Sequence, residues 1–343
     1  MPWCGTLRVV FLGTAASMST IKARLQSIIY QLDDGSLLLF DTGEDVQRAF
    51  EEAKIKINKP LTIFITHMHG DHVIGLPGLL FRLGLLNRTK DVEIFGPRGL
   101  FFYLLAQRLT VGLITEYKIL VNEIDLADNS MTAYPPMDVN FTLEGLDEQI
   151  KKVNFEDGII KETKNHSIIV LNAEHTTIQS FSYIYKEQPK PGKFNPERAM
   201  ALKIPRGHLW GKMQEGQTVT LKDGRIIDPY SESIVGTPRE GRVIVLSGDT
   251  RPSQAIMEFI RNNRVNLLIH EATYTDEFQA MALDKKHSTI GEACAVAREG
   301  NVEKLALTHF SIRYFDDMQK VESEAKEQFN DVIIAHDNLA IEL

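Results

Sequence analysis

Leu61-Thr-Ile-Phe-Ile-Thr66 continues without a break into His67-Met-His-Gly-Asp-His72. The first half is an uninterrupted apolar and β-branched run, the pattern of a strand buried on both faces. The second half crowds four possible metal ligands into the six positions that follow. While the backbone stays extended, His67 and His69 sit two apart and share a side. Gly70 permits a sharp turn, after which Asp71 and His72 face a second point. Two imidazoles aimed at one place, with a carboxylate and an imidazole aimed beside it, suit a pair of borderline-soft cations. Neutral imidazole and carboxylate favour zinc, with manganese or iron as alternatives.

On either side, buried strands again end in polar residues. The runs 27–32 and 36–40 predict a hairpin around Asp33-Asp34-Gly35, and the second strand leads into Asp41-Thr-Gly43. A strand is expected at 7–12 and helices at about 45–53, 73–86 and 99–109, with a strand at 91–95 between the last two. Further on, a strand at 168–171 precedes His175, one at 243–246 precedes Asp249, and one at 304–308 precedes His309. The strand at 265–269 leads into His270-Glu271, helices are predicted over 253–262 and 289–299, and a strand at 332–334 closes the chain. This alternation predicts an α/β fold with its site at the strand ends. The stretch 111–172 carries no catalytic pattern.

Composition narrows the setting. The 343 residues, 43% hydrophobic and 24% charged, are those of an ordinary globular protein of one large or two smaller domains. No apolar run approaches the length of a membrane span, and the N-terminus lacks the pattern of a signal peptide. Two cysteines, Cys4 and Cys294, make no disulfide framework. Together these features predict a cytoplasmic enzyme with no membrane partner.

A net charge of −8 argues against a nucleic-acid partner until its distribution is considered. Between Lys186 and Arg225 nine basic residues face four acidic ones, a local excess of +5. Lys190, Lys193, Arg198, Lys203, Arg206 and Lys212 lie in this window, a candidate phosphate-binding surface. The prolines and glycines of 186–229 predict an excursion from the core. A short helix at 196–201 and a hairpin at 217–227 predict an ordered arm rather than a linker.

One strand end cannot complete two metal sites, so the remaining ligands must come from other strand ends. His67, His69 and His175 would hold one cation and Asp71, His72 and His309 the other, with Asp249 between them. Two such cations would acidify a shared water into a nucleophile. His287, on a Ser/Thr-containing loop before a helix, is the remaining candidate acid to protonate a leaving alkoxide. His270 and Glu271 either support a ligand or His287, or belong to the core.

These residues resemble a known family. Asp41-Thr-Gly-Glu44, His67-Met-His-Gly-Asp-His72, His175, Ser247-Gly-Asp-Thr250 and Thr308-His309 match, in order, the ligand motifs of the metallo-β-lactamase superfamily. Phe11-Leu-Gly-Thr14, His270-Glu-Ala-Thr273, His287-Ser-Thr289 and Thr308-His-Phe-Ser-Ile-Arg-Tyr314 narrow the resemblance to the short form of tRNase Z (ribonuclease Z). The segment 196–216 is similar to that family's arm, with Gly207-His208 where the family usually has Gly-Pro.

The resemblance implies a single αββα four-layer sandwich over 1–343 with 186–229 as an inserted, projecting tRNA-binding arm. It implies two zinc ions per subunit and hydrolysis of precursor tRNA after the discriminator nucleotide, leaving a 3′-hydroxyl. It further implies a homodimer in which one subunit's arm grips the tRNA cut by the other. Asp71 would double as proton acceptor, His287 would act as acid, Arg313 would contact a phosphate, and Asp41, His270 and Glu271 would support the site. The alternative is a dizinc phosphodiesterase or sulfatase of the same fold acting on a small diester.

Overall fold

The computed structural model describes residues 6–176 and 179–343; Cys4 lies outside the described residues. Two compact units are present. The larger comprises Met1–Glu162, Ile168–Tyr185 and Val243–Leu343, and the smaller comprises Thr163–Ser167 and Lys186–Arg242.

Two large sheets make up the larger unit. The first has nine strands, with Leu37–Phe40, Leu61–Phe64, Val92–Gly96 and Ile119–Asp125 parallel at its centre. The second has seven, four of them parallel: Val243–Leu246, Leu267–Glu271, Leu305–Thr308 and Val332–Ile334. Alternation along each strand sorts the side chains into layers. Val9, Phe11, Leu38, Phe40 and Phe64 share one core with Ile244, Leu246, Leu267, Ile269 and Ala306. Val10, Leu12, Leu37, Leu39 and Ile63 instead pack with the helices Val46–Glu52, Leu76–Leu85 and Leu100–Val111. Val245, Leu268 and Leu307 pack with Gln254–Asn262, Ile290–Glu299 and Met318–Gln328. The layers are therefore α, β, β, α.

Between the sheets, Tyr30 tilts against Phe40 at a centroid spacing of 4.6 Å, and Phe40, Phe64 and Phe95 stack in succession at 5.1 and 5.3 Å. The last three are register partners on adjacent parallel strands, so the ladder rests directly beneath the junction at Thr66. Truncating Phe64 to Ala would cost about 3–5 kcal/mol, the range for a buried aromatic.

The helix expected over 73–86 is two helices, Gly70–Val73 and Leu76–Leu85. They break at Ile74-Gly75 because the Gly75 amide donates to the Thr42 carbonyl at 2.9 Å, and a Cβ there would lie 2.1 Å from the Gly43 carbonyl oxygen. The turn attributed to Gly70 is likewise a helix start: its φ is not positive, and a Cβ would meet nothing within 4 Å. The stretch 111–172 holds more order than its sequence announces, with strands Ser130–Ala133, Lys151–Asn154 and Ile159–Glu162.

The smaller unit has its own apolar core of Ala199, Ile204, Met213, Val219, Leu221, Ile227 and Ile234. Its helix Pro196–Ala201 starts where the Asn195 side chain accepts from the Arg198 amide, with Pro196 at the position proline favours. A second helix, His208–Gln214, and a hairpin pairing Val219–Thr220 with Ile226–Ile227 complete it. Glu187, buried, accepts from the Arg242 guanidinium at 2.6 and 2.7 Å and from Lys190 Nζ at 2.5 Å. Burial opposes the charge on Glu187, but these cations outweigh it and bring its pKa down to about 2.

Candidate metal centre

The segments that follow strands Leu61–Phe64, His166–Asn172, Val243–Leu246 and Leu305–Thr308 bring seven side chains together. His67 Nε2 lies 3.0 Å from His69 Nδ1, which lies 3.3 Å from His175 Nε2. His72 Nε2 lies 3.3 Å from His309 Nε2, and Asp71 Oδ2 lies 3.7 and 3.6 Å from these two nitrogens. Asp249 Oδ2 reaches both groups, at 3.8 Å from His67, 3.3 Å from His72 and 3.4 Å from His309. Tetrahedral zinc with ligand bonds of ~2.0–2.1 Å separates its donors by roughly 3.3 Å. Donors of this type at these spacings could hold a divalent metal ion, and the residues present fit one.

The rings are fixed from behind, as metal-ligating imidazoles require. His67 Nδ1 meets Thr66 Oγ1 at 3.0 Å, His72 Nδ1 meets Asp41 Oδ2 at 2.8 Å and His309 Nδ1 meets Thr273 Oγ1 at 3.0 Å. His175 Nδ1 donates to the Lys286 carbonyl at 2.9 Å. Each thereby presents Nε2 to the cluster; His69 alone presents Nδ1. Asp41 also accepts from the Thr66 amide at 2.8 Å, which ties two strand ends together. Asp41, Gly248 and His309 hold φ of 58°, 61° and 59°, so left-handed backbone recurs in the turns that carry or adjoin the cluster.

Electrostatics follow the same plan. Burial disfavours charge on Asp249, but His309, His72 and His67 together hold its carboxyl well below the usual range. Burial, then its histidine neighbours, hold His67 neutral, the state that binds metal. His287 lies at the edge of the cluster. Its Nδ1 donates to Glu271 Oε1 at 2.9 Å, and its ring centroid lies 4.8 Å from that of His175 and 5.5 Å from that of His309. Burial opposes protonation there, but the Glu271 carboxylate and then Asp249 overcome it and raise the pKa to about 9. Glu271 is buried and also accepts from the Thr250 amide and from Thr273 Oγ1.

Not every expected site residue belongs to this cluster. His270 is fully buried, with Nδ1 bonded to the Glu271 carbonyl at 2.7 Å, and contacts none of the seven. Arg313 is exposed, its guanidinium 4.5 Å from the Phe278 ring and 5.5 Å from the Tyr274 ring, and the Tyr274 ring lies 6.1 Å from that of His287. In the smaller unit, Lys190 pairs with Glu187 and Arg198 with Glu232, while Arg206 lies over Trp210. Lys193, Lys203 and Lys212 are exposed, and among the described residues no carboxylate pairs with them. Sequence reasoning assigned no role to Thr66, Thr250 and Thr273. Their signal was position alone: each lies within two residues of an acid or imidazole near a strand end.

This four-layer sandwich with imidazoles and carboxylates at the mouth of its sheets is a metallo-β-lactamase fold. Solved structures of the same fold cover nearly the whole chain. The short form of human tRNase Z superposes with a TM-score of 0.63 at 22% identity, covering 97% of this chain and 98% of that one. The metallo-β-lactamase fold protein YhfI from Bacillus subtilis gives 0.62 at 14% identity, covering 98% and 99%. The ribonuclease Z of Methanosarcina mazei is 35% identical over 337 residues, 98% of each chain. The chain belongs to the ribonuclease Z family along its whole length, and through residues 7–179 to the family described as anti-Pycsar protein Apyc1.

Proposed function

We propose that this protein is a metal-dependent endoribonuclease that removes the 3′ trailer of precursor tRNA. It hydrolyses the phosphodiester after the discriminator nucleotide, leaving a 3′-hydroxyl on the tRNA and a 5′-phosphate on the trailer. The observation that carries this reading is the convergence of seven donors at metal-ligand spacing in a chain related to ribonuclease Z over its full length.

His67, His69 and His175 would hold one Zn²⁺ and Asp71, His72 and His309 a second, with Asp249 shared; Mn²⁺ or Fe²⁺ are alternatives. When bound, such a pair supplies Lewis-acid stabilisation of the phosphodiester's charge and acidifies the attacking water. Asp71 takes up the proton released as water attacks. His287, with Nδ1 engaged by Glu271, gives a proton from Nε2 to the departing ribose 3′-oxygen. Arg313, held over two aromatic faces, contacts a substrate phosphate.

The excess basic charge of the smaller unit is the second support, since affinity for RNA backbone rests on such residues. On this reading 186–229 is the arm that grips tRNA, and the working form is a cytoplasmic homodimer in which one subunit's arm holds the substrate of the other. Among the described residues no helix is long and apolar enough to cross a membrane.

The test is incubation with a precursor tRNA bearing a 3′ trailer, with and without chelator, mapping the cut to the nucleotide. A single cut after the discriminator, lost with chelator and restored by Zn²⁺ or Mn²⁺, is the expected result. Cleavage of bis(4-nitrophenyl) phosphate with none of the precursor would overturn it in favour of a small-diester phosphodiesterase.

A further inference from the structure

The loop bearing His287 is stitched to the loops that carry Asp249 and His175. The Lys286 carbonyl orients His175, and Ser288 Oγ donates to the Thr250 carbonyl at 2.6 Å. Between them, the His287 carbonyl accepts from Arg251 Nη1 at 2.6 Å. The same guanidinium makes a two-pronged pair with Glu292, Nη1 to Oε2 at 2.6 Å and Nη2 to Oε1. Arg251 is itself anchored, its amide donating to the Glu174 carbonyl at 2.9 Å beside His175.

Glu292 has little freedom of its own. It accepts from the Thr289 amide at 2.9 Å in the capping box that starts helix Ile290–Glu299, and from Gln279 Nε2 at 2.7 Å. The helix start after His287 and the helix before it are thereby tied to one carboxylate. Side-chain exposures of 13% for Arg251 and 19% for Glu292 put the pair largely out of water, where fork geometry is strongest.

From this geometry we infer that Arg251, held by Glu292, is the positioning residue for His287. It touches neither His287's ring nor the seven donors; it grips the peptide that carries the ring. A displaced peptide would move the acid relative to the leaving oxygen, while the supports of His67, His72 and His309 lie on other segments. Lysine cannot replace the fork, because one ammonium does not span the His287 carbonyl and both oxygens of Glu292. The inference rests on His287 being the acid in the proposed reaction.

Leaving-group chemistry gives the test. The ribose 3′-oxygen departs as a poor alkoxide that needs a proton, whereas 4-nitrophenolate departs without one. Arg251→Lys, Arg251→Met and Glu292→Gln are compared with the parent on precursor tRNA and on bis(4-nitrophenyl) phosphate, with metal content and unfolding midpoint measured for each. We expect kcat on precursor tRNA to fall by about tenfold to a hundredfold more than kcat on the activated diester, with KM for the RNA within about threefold. In a His287→Ala background the further loss from Arg251→Met should largely vanish, because both changes remove one function. Parallel losses on both substrates, an undiminished effect in the His287→Ala background, or no loss at all would overturn the inference. A parent enzyme that leaves precursor tRNA uncut would instead sink the functional reading, and His287→Ala without leaving-group selectivity would sink the acid role; each failure is thus distinct.

Discussion

In the larger unit, His67, His72, His175 and His309 are buried, and each has its outward ring nitrogen tied to a named partner. In the smaller unit, Lys193, Lys203 and Lys212 stand exposed with no carboxylate partner among the described residues. The first arrangement spends hydrogen bonds to fix atoms within tenths of an ångström, as chemistry demands. The second leaves long side chains free, as a diffuse attraction for a polyanion allows. Damage to the first should therefore appear in kcat and damage to the second in KM and salt dependence.

The largest effect should come from Asp249→Ala, which removes a carboxylate that reaches both groups. Single-turnover cleavage of precursor tRNA should fall by at least about 10²–10³ with RNA affinity retained; a residual rate within about tenfold of the parent would contradict the shared role. Next, His287→Ala should lower kcat on precursor tRNA by about 10²-fold, at the low end for general acid catalysis, with bound metal unchanged by elemental analysis.

Reversing Lys193, Lys203 and Lys212 to Glu together should raise KM for precursor tRNA by about tenfold or more and flatten its dependence on salt, while cleavage of a small diester continues. Equal loss on both substrates would erase the contrast between the units.

The smallest effect concerns Glu187. Its pKa is depressed from the ordinary 4.5 to about 2, so its pairing with Arg242 and Lys190 stabilises the folded state above pH 4.5 and is lost as pH falls toward 2. The stability difference between the parent and Glu187→Gln, read from tryptophan fluorescence during urea unfolding, should accordingly be largest near neutral pH and shrink across that window.

Much of the cluster was legible because its donors follow strands. A buried parallel strand must end at the sheet's mouth, so His67, Asp249 and His309 declare their place by following Ile65, Leu246 and Leu307. The pattern could not show what holds the rings. Thr66 and Thr273 look like ordinary strand-end threonines, and Arg251 and Glu292 are 41 positions apart, so their pairing is a fact of tertiary structure alone. The split helix at Gly75 was hidden for a similar reason: its cause is the backbone of Thr42-Gly43, more than thirty residues upstream by their numbering. The strands within 111–172 were hard to read because Lys151–Asn154 is exposed along its whole length and carries no apolar alternation.

His69, the one imidazole that faces the cluster through Nδ1, is also the least buried of the five. Nδ1 sits one bond from the ring's root, a reach that the short amide of asparagine reproduces and that the other four histidines, extended to Nε2, do not share. This position is therefore the cage's replaceable hinge: His69→Asn should keep a weakened donor and exchange its ion faster, where asparagine at His67 would leave a gap.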